Sequence, residues 1–144
     1  MIATMTLDEL TIRAEVIAYA SVKTTEDAGE SEPGMKLMKT HLQITNVLKG
    51  AVKVGDIVEI TTVKGMEDEP EFLPKGNYLL LLKKNAAGEY QTVNLIQGAW
   101  PVDNNGMFAG LGLGTTPDQL KKSIAATKDK MPPADDDAAP EPEF

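Results

Sequence analysis

The sequence predicts an all-β domain of five or six antiparallel strands, followed by one C-terminal helix. Its 144 residues and 42% hydrophobic content suit a single domain with a modest core. Apolar and polar residues alternate over residues 10–22, which is the period of a strand with one buried face. A β-branched run over residues 57–63 adds a strand, and an N-cap sequence at Thr116 adds the helix.

The first two strands are predicted to form an antiparallel pair. Residues 10–22 place their apolar side chains on the even positions, so this segment is predicted to be one long strand. Residues 24–34 are rich in Thr, Glu, Asp, Ser, Gly and Pro, a composition that predicts a mobile loop. The alternation resumes at Met35 and loses its phase at residues 46–48, where a bulge is predicted.

Two further strands follow turn sequences. The Val-Gly-Asp sequence of residues 54–56 predicts a turn, because Gly supplies a positive φ and Asp bonds to nearby backbone. The strand over residues 57–63 follows it. Residues 78–84 carry leucines on both faces, which is typical of a strand that is central in the sheet or covered by another element.

The last strands are predicted to form hairpins. The four residues 85–88 have the length of a hairpin connection, so residues 90–96 are predicted to be the returning strand. Residues 99–102 and 107–108 flank the Asp-Asn-Asn-Gly sequence of residues 103–106, which predicts a second turn.

One helix is predicted over residues 117–127. Thr116 is a favoured N-cap, Pro117 takes the first helical position, and Gln119 is the partner that completes a capping box. The apolar stripe of this helix is narrow, so we expect it to pack weakly.

The C-terminal residues 129–144 are acidic and proline-rich, which predicts a disordered tail behind a folded domain of residues 1–128. The chain carries 22 acidic and 14 basic residues, a net charge of −8. Six of the acids and one lysine lie in the predicted tail, which leaves a net charge of −3 in the domain. Phosphate backbones and anionic lipids are bound through Lys and Arg, so no nucleic-acid partner is expected.

The Cys and His content removes several catalytic chemistries. With no cysteine and one histidine, the chain has no disulfide framework, no thiolate nucleophile and no zinc site of the usual Cys/His kind. His41 alternates with Leu42 and is predicted to be exposed on the opposite face. No serine lies in a Gly-x-Ser-x-Gly sequence, so no triad can be argued. No cofactor, metal site or catalytic residue is predicted, and we do not expect an enzyme.

For three other motifs, a structural role is favoured over a functional one. The glycine repeat of residues 110–114 lacks the βαβ context of a dinucleotide loop, so a flexible link is favoured. Residues 103–106 lack the bidentate Glu of a calcium loop, so a hairpin turn is favoured. The acidic sequence of residues 67–71 is expected to be solvated rather than to hold a cation.

An ordered set of short sequences resembles a known family. The set comprises Val-Leu-Lys-Gly at residues 47–50, Val-Gly-Asp at residues 54–56, Gly-Asn-Tyr-Leu-Leu-Leu-Leu-Lys at residues 76–83 and Gln-Gly-Ala-Trp-Pro-Val at residues 97–102. It resembles a family of small bacterial envelope or secreted proteins, whose fold is similar to the OB-like barrel of netrin modules and tissue inhibitors of metalloproteinases. The resemblance implies an OB-like antiparallel barrel. The inhibitors chelate zinc through an N-terminal cysteine, which this chain lacks, so that mechanism is not implied.

Four residues are candidates for a binding surface. Trp100 and Tyr90 could form an exposed aromatic pair that seats a partner, although a lone Trp in a small barrel more often serves packing. Lys83 and Lys84 could form a basic patch.

The function these observations favour is a non-catalytic protein-interaction module of the bacterial envelope or exterior. The alternative is an oligonucleotide-binding OB-fold protein, which needs a continuous basic groove with exposed aromatics. A hydrolase with a pair of converging carboxylates stays open. No segment has the length of a membrane span, so no membrane insertion is expected. Residues 1–10 lack the features of a secretory signal, which leaves a cytoplasmic location as the alternative to the envelope.

Overall fold

The computed structural model describes residues 5–65, 69–103 and 115–130. An antiparallel sheet in the order β3-β2-β1-β4-β5 dominates the fold, and β6 pairs with β4 beside β5. The elements in chain order are α1 (Leu7–Arg13), β1 (Val16–Glu32), β2 (Met35–Lys49), β3 (Ile57–Val63), β4 (Asn77–Lys84), β5 (Tyr90–Thr92), a 3₁₀ helix (Leu95–Gly98), β6 (Ala99–Pro101) and α2 (Pro117–Thr127). The predicted β-rich fold with a C-terminal helix is confirmed.

The sheet is not closed among the described residues, so the OB-like barrel that the resemblance implies is not confirmed. Its two end strands, β3 and β5, approach each other with Cα atoms within 8 Å. Among the described residues, however, no backbone hydrogen bond joins β3 to β5. The gap between these two strands is called the seam below.

The prediction of a strand from residue 10 is wrong at its start, because residues 7–13 form α1. The helix is fixed by a capping box: the Thr6 side chain accepts from the Glu9 backbone N–H, and the Glu9 side chain accepts from the Thr6 N–H. Leu10 is fully buried, and β1 begins only at Val16. Leu7, Leu10 and Ala14 have the i, i+3, i+7 spacing of one helix face, a second pattern that overlaps the start of the alternation.

The prediction of a mobile loop over residues 24–34 is also wrong. β1 continues through residue 32, and a tight turn with Gly34 at φ +85° leads directly into β2. Opposite charges face each other across this ribbon at Glu26↔Lys39 and Glu30↔Lys36. The ribbon therefore rests on backbone pairing rather than on apolar burial, which a composition rule does not detect.

Several predicted elements are confirmed. β3 has the predicted bounds, and β4 is buried on both faces. The predicted bulge lies at Leu48, which is passed over between the pairs Ala18↔Val47 and Ile17↔Lys49. The predicted returning strand is shorter than expected, since β5 ends at Thr92 and two left-handed residues, Asn94 and Leu95, turn the chain into the 3₁₀ helix.

The two faces of β1 and β4 bury separate cores. The inner core is mostly aliphatic and lies on one face of the sheet, with Val22, Leu42, Ile60 and Leu80 among its members. The outer core lies under the helices and includes Leu10, Leu79, Trp100 and Leu120. α2 has the predicted bounds and capping box, and it packs against α1 through the fully buried Leu120.

Some predictions lie outside the described residues: the second hairpin turn beyond Asp103, the glycine repeat of residues 110–114, part of the acidic sequence of residues 67–71, and the tail beyond Lys130. In the part of the chain that is described, no helix has the length and apolar character needed to cross a membrane.

Candidate functional site

The outer edge of β3 presents a row of backbone groups. Ile44 N–H donates to the Asp56 carbonyl and Lys64 N–H to the Lys36 carbonyl, both at 2.8 Å, so the even-numbered residues of this strand bond to β2. In an antiparallel ladder the intervening residues point their N–H and C=O groups the other way. Ile57, Glu59 and Thr61 therefore direct their backbone groups away from the sheet.

Among the described residues, no segment covers the first part of this edge. β3 reads IVEITTV, with six β-branched residues, one charge, and neither lysine nor proline. Natural sheets guard exposed edges with Lys, Pro, bulges or covering segments, because an unguarded edge pairs with other chains. Ile57 is 52% exposed and Val54, just before the strand, is 66% exposed. The start of β3 thus combines outward backbone groups, unpaired within the described ranges, with an apolar surface.

Part of the edge is already covered at its far end. The Val63 N–H donates to the Glu69 carboxylate at 3.1 Å. The three residues of β5 lie across the seam, where Thr61 and Thr62 line a cavity with Gln91 and Thr92. Because β3 has seven residues, most of its edge extends beyond the facing strand.

A second feature is a groove at the end of the inner core, called the mouth groove. It has a volume of about 490 Å³ and is lined by the inner faces of the first three strands and by the segment that returns toward β4. Its lining residues are Thr25, Met38, Thr40, Thr62, Val63, Lys64, Gly65, Glu69, Pro70, Glu71 and Phe72. Thr62 and Glu69 line both this groove and the cavity at the seam.

The returning segment is held in place by Tyr78. The Tyr78 hydroxyl accepts from the Leu73 N–H at 2.8 Å and donates to the Glu71 carbonyl at 3.4 Å. The Phe72 ring packs edge-on against the Tyr78 ring, with centroids 5.1 Å apart. These contacts fix Glu71 and Phe72 at the wall of the mouth groove.

The inner face changes from aliphatic to hydroxyl-bearing side chains at this groove. Thr40 is 1% exposed and Thr62 is 7% exposed, and neither hydroxyl has a hydrogen-bond partner among the described residues. Both oxygens are therefore open to the groove rather than sealed by protein. Sequence reasoning missed both residues, although threonines at inward positions of two neighbouring strands are the signal that would find them.

His41 belongs to a cross-strand chain of polar groups on the outer face. Its Nδ1 lies 3.1 Å from the Thr24 hydroxyl and its Nε2 lies 2.8 Å from a Glu59 carboxylate oxygen. The Lys39 ammonium lies 3.8 Å from the other oxygen of Glu59. The predicted exposure of His41 is corrected to half-burial. The order hydroxyl, imidazole, carboxylate is that of a catalytic triad, but here the three groups are register neighbours on an open sheet surface.

The four candidate binding residues do not form one surface. Trp100 is fully buried in the outer core, where its indole N–H donates to the Gln97 carbonyl at 2.6 Å, so the packing role expected of a lone Trp is confirmed and the exposed pair with Tyr90 is not formed. Tyr90 packs against the inner core, on the other face of the sheet. The Lys84 ammonium lies 5.3 Å from the centre of the Tyr90 ring, while Lys83 lines the seam.

Within the described ranges, no three His, Cys, Asp or Glu residues are grouped as metal ligands. Searches against protein-family models and against curated proteins found no match for this chain.

Proposed function

We propose that this chain is a non-catalytic protein-interaction module that binds an extended segment of a partner protein along the edge of β3. The observation that carries the proposal is the row of outward backbone groups at Ile57, Glu59 and Thr61. In strand addition, main-chain hydrogen bonds supply affinity and alternate side chains supply specificity. A bound segment would give the unguarded edge the partner that it lacks.

The chemistry of the edge restricts the partner segment. The exposed Ile57 and Val54 favour apolar side chains at alternate positions of the incoming strand. The net charge of −8 favours basic residues in the partner and speeds its approach. The proposed partner is therefore an extended segment in which apolar and basic residues alternate.

The proposal also includes the barrel type and the cellular compartment of the protein. The approach of β5 to β3 within 8 Å supports an OB-like barrel that is left open at the seam. The resemblance to small envelope proteins supports a location in the bacterial envelope or exterior, where partner segments are presented by other secreted chains.

The oligonucleotide alternative has weaker support. OB barrels bind single strands on the outer face of their second and third strands, through aromatic and basic side chains. On that face Lys39 is paired with Glu59, and the described positions of β2 and β3 hold no Phe, Tyr or Trp.

The test is a selection from a displayed library of random 12-residue peptides, followed by affinity measurements on two variants. Glu59→Pro removes the side chain and the outward N–H, whereas Glu59→Ala removes the side chain alone. We expect selected peptides to alternate apolar and basic residues, and Glu59→Pro to weaken them about tenfold more than Glu59→Ala. Peptides that bind both variants equally, or a selection that yields no binder, would contradict the proposal.

A further inference from the structure

We infer that the mouth groove binds an alkylammonium group, supplied by a small amine or by a lysine side chain of another protein. This site is distinct from the proposed strand addition. It uses the inner face of the sheet and the segment of residues 69–72, whereas strand addition uses the backbone edge of β3.

The first argument is a pair of hydroxyls that face the groove. Thr40 and Thr62 line the groove, are more than nine-tenths buried as residues, and have no hydrogen-bond partner among the described residues. Their oxygens are not sealed by protein, so they are open to the groove and to a ligand that occupies it. An ammonium group has three N–H donors and suits hydroxyl oxygens as acceptors.

The second argument is the charge at the rim. Glu69 and Glu71 border the groove with one lysine, Lys64, so the local charge is negative. One oxygen of Glu69 accepts from the Val63 N–H, and its carboxylate has a second oxygen to offer. The negative charge at the rim of the groove favours a cation and disfavours carboxylate or phosphate ligands.

The third argument is the apolar wall. Met38, Pro70 and Phe72 also line the groove. Phe72 is fixed by its edge-on contact with Tyr78, while the flexible thioether of Met38 can adapt to a methylene chain. A volume of about 490 Å³ lies within the range of small-molecule sites. The groove thus fits an alkyl chain that ends in a cation.

The test is an NMR titration of the full chain, at pH 7, with hexylamine, hexanol and hexanoate. These probes share an alkyl body and differ in charge. We expect hexylamine alone to bind saturably, with shifts centred on Thr40, Thr62 and Phe72. Equal binding of hexanol or hexanoate, no binding of hexylamine, or shifts centred elsewhere would overturn the inference.

Threonine variants test whether the two hydroxyls contribute to amine binding or to the stability of the fold. Thr40→Val with Thr62→Val removes two hydroxyls at nearly constant volume, and Thr61→Val is the matched control on the outer face of the same strand. The double variant should bind hexylamine about tenfold more weakly and melt at the same or a higher temperature, while the control binds normally. A lower melting temperature with unchanged binding would make the hydroxyls structural and overturn the inference.

Two further comparisons complete the test. Glu71→Gln, at an exposed position, should weaken hexylamine several-fold without affecting the fold. A blocked lysine peptide that binds more tightly than hexylamine identifies a partner side chain as the source, and the reverse order identifies a free amine. Glu59→Pro should leave hexylamine binding unchanged. Loss of peptide binding at the β3 edge and loss of amine binding in the mouth groove can therefore be observed separately.

Discussion

The hydroxyl of Thr11 in α1 lies 3.0 Å from the hydroxyl of Ser123 in α2, although the two residues are 112 positions apart. The Thr127 hydroxyl lies 3.1 Å from the same Thr11 oxygen, and Ser123 donates to the Asp8 carboxylate. All three hydroxyl residues are buried. The narrow apolar stripe of α2 is therefore supplemented by a buried cluster of hydrogen bonds between the helices.

Thr11→Val should destabilise the protein by about 1 kcal/mol, because it removes the hydroxyl that bonds to both Ser123 and Thr127, while each of these keeps one other bond. Urea unfolding measures this loss directly. Thr61→Val, which replaces an exposed threonine on β3, is the control and should change stability by less than about 0.5 kcal/mol. Equal stabilities for the two variants would show that the hydroxyl cluster contributes nothing.

Gly50→Ala should destabilise the protein by more than about 3 kcal/mol. Gly50 has φ +105°, and a Cβ atom there would lie 2.6 Å from the Glu15 carbonyl oxygen. Gly88 has φ +83° with open space around it, so Gly88→Ala tests the cost of the backbone conformation alone, about 1 kcal/mol. The difference between the two melting curves isolates the close approach of Gly50 to β1, and similar losses would contradict it.

The features that the sequence predicts well are those with local signals. The Thr116 capping box and the Val-Gly-Asp turn set α2 and β3 at their predicted bounds, because each depends on neighbouring residues. The helix α1 carries the same signal at Thr6 and Glu9, but it was outweighed by the alternation that follows.

The features that the sequence does not predict depend on distant residues. The long β1–β2 ribbon depends on cross-strand pairing, and the burial of Trp100 depends on the helices that cover it. The mouth groove requires Thr40, Thr62 and Phe72 to meet across three segments of chain. No local pattern encodes that meeting.

At alkaline pH, Lys49 and Tyr19 should change the stability of the protein in opposite directions. Burial lowers the pKa of Lys49, whose ammonium donates to the Thr11 carbonyl at 2.7 Å, and burial raises the pKa of Tyr19. Between its lowered pKa and 10.5, Lys49 binds fewer protons in the folded state, so its contribution to stability rises with pH. Tyr19 keeps its proton longer in the folded state, so its contribution falls as pH rises above 10.0.

The variant Lys49→Met separates these two effects. It removes the rising contribution, so its stability should fall more steeply than that of the parent as pH increases through this alkaline window. Urea unfolding at several pH values from 8 to 11 provides the measurement. Parallel curves for parent and variant would show that burial of Lys49 does not perturb its protonation.

An open β3 edge that receives a partner strand should be visible in residue-resolved amide hydrogen exchange by NMR, first on the free protein and then with a selected peptide bound. We expect fast exchange at Glu59 against slow exchange at Val58 and Ile60 in the free protein, and protection of Glu59 when the peptide binds. Uniform protection along β3 before any peptide is added would contradict an open edge, because the edge would then already be paired.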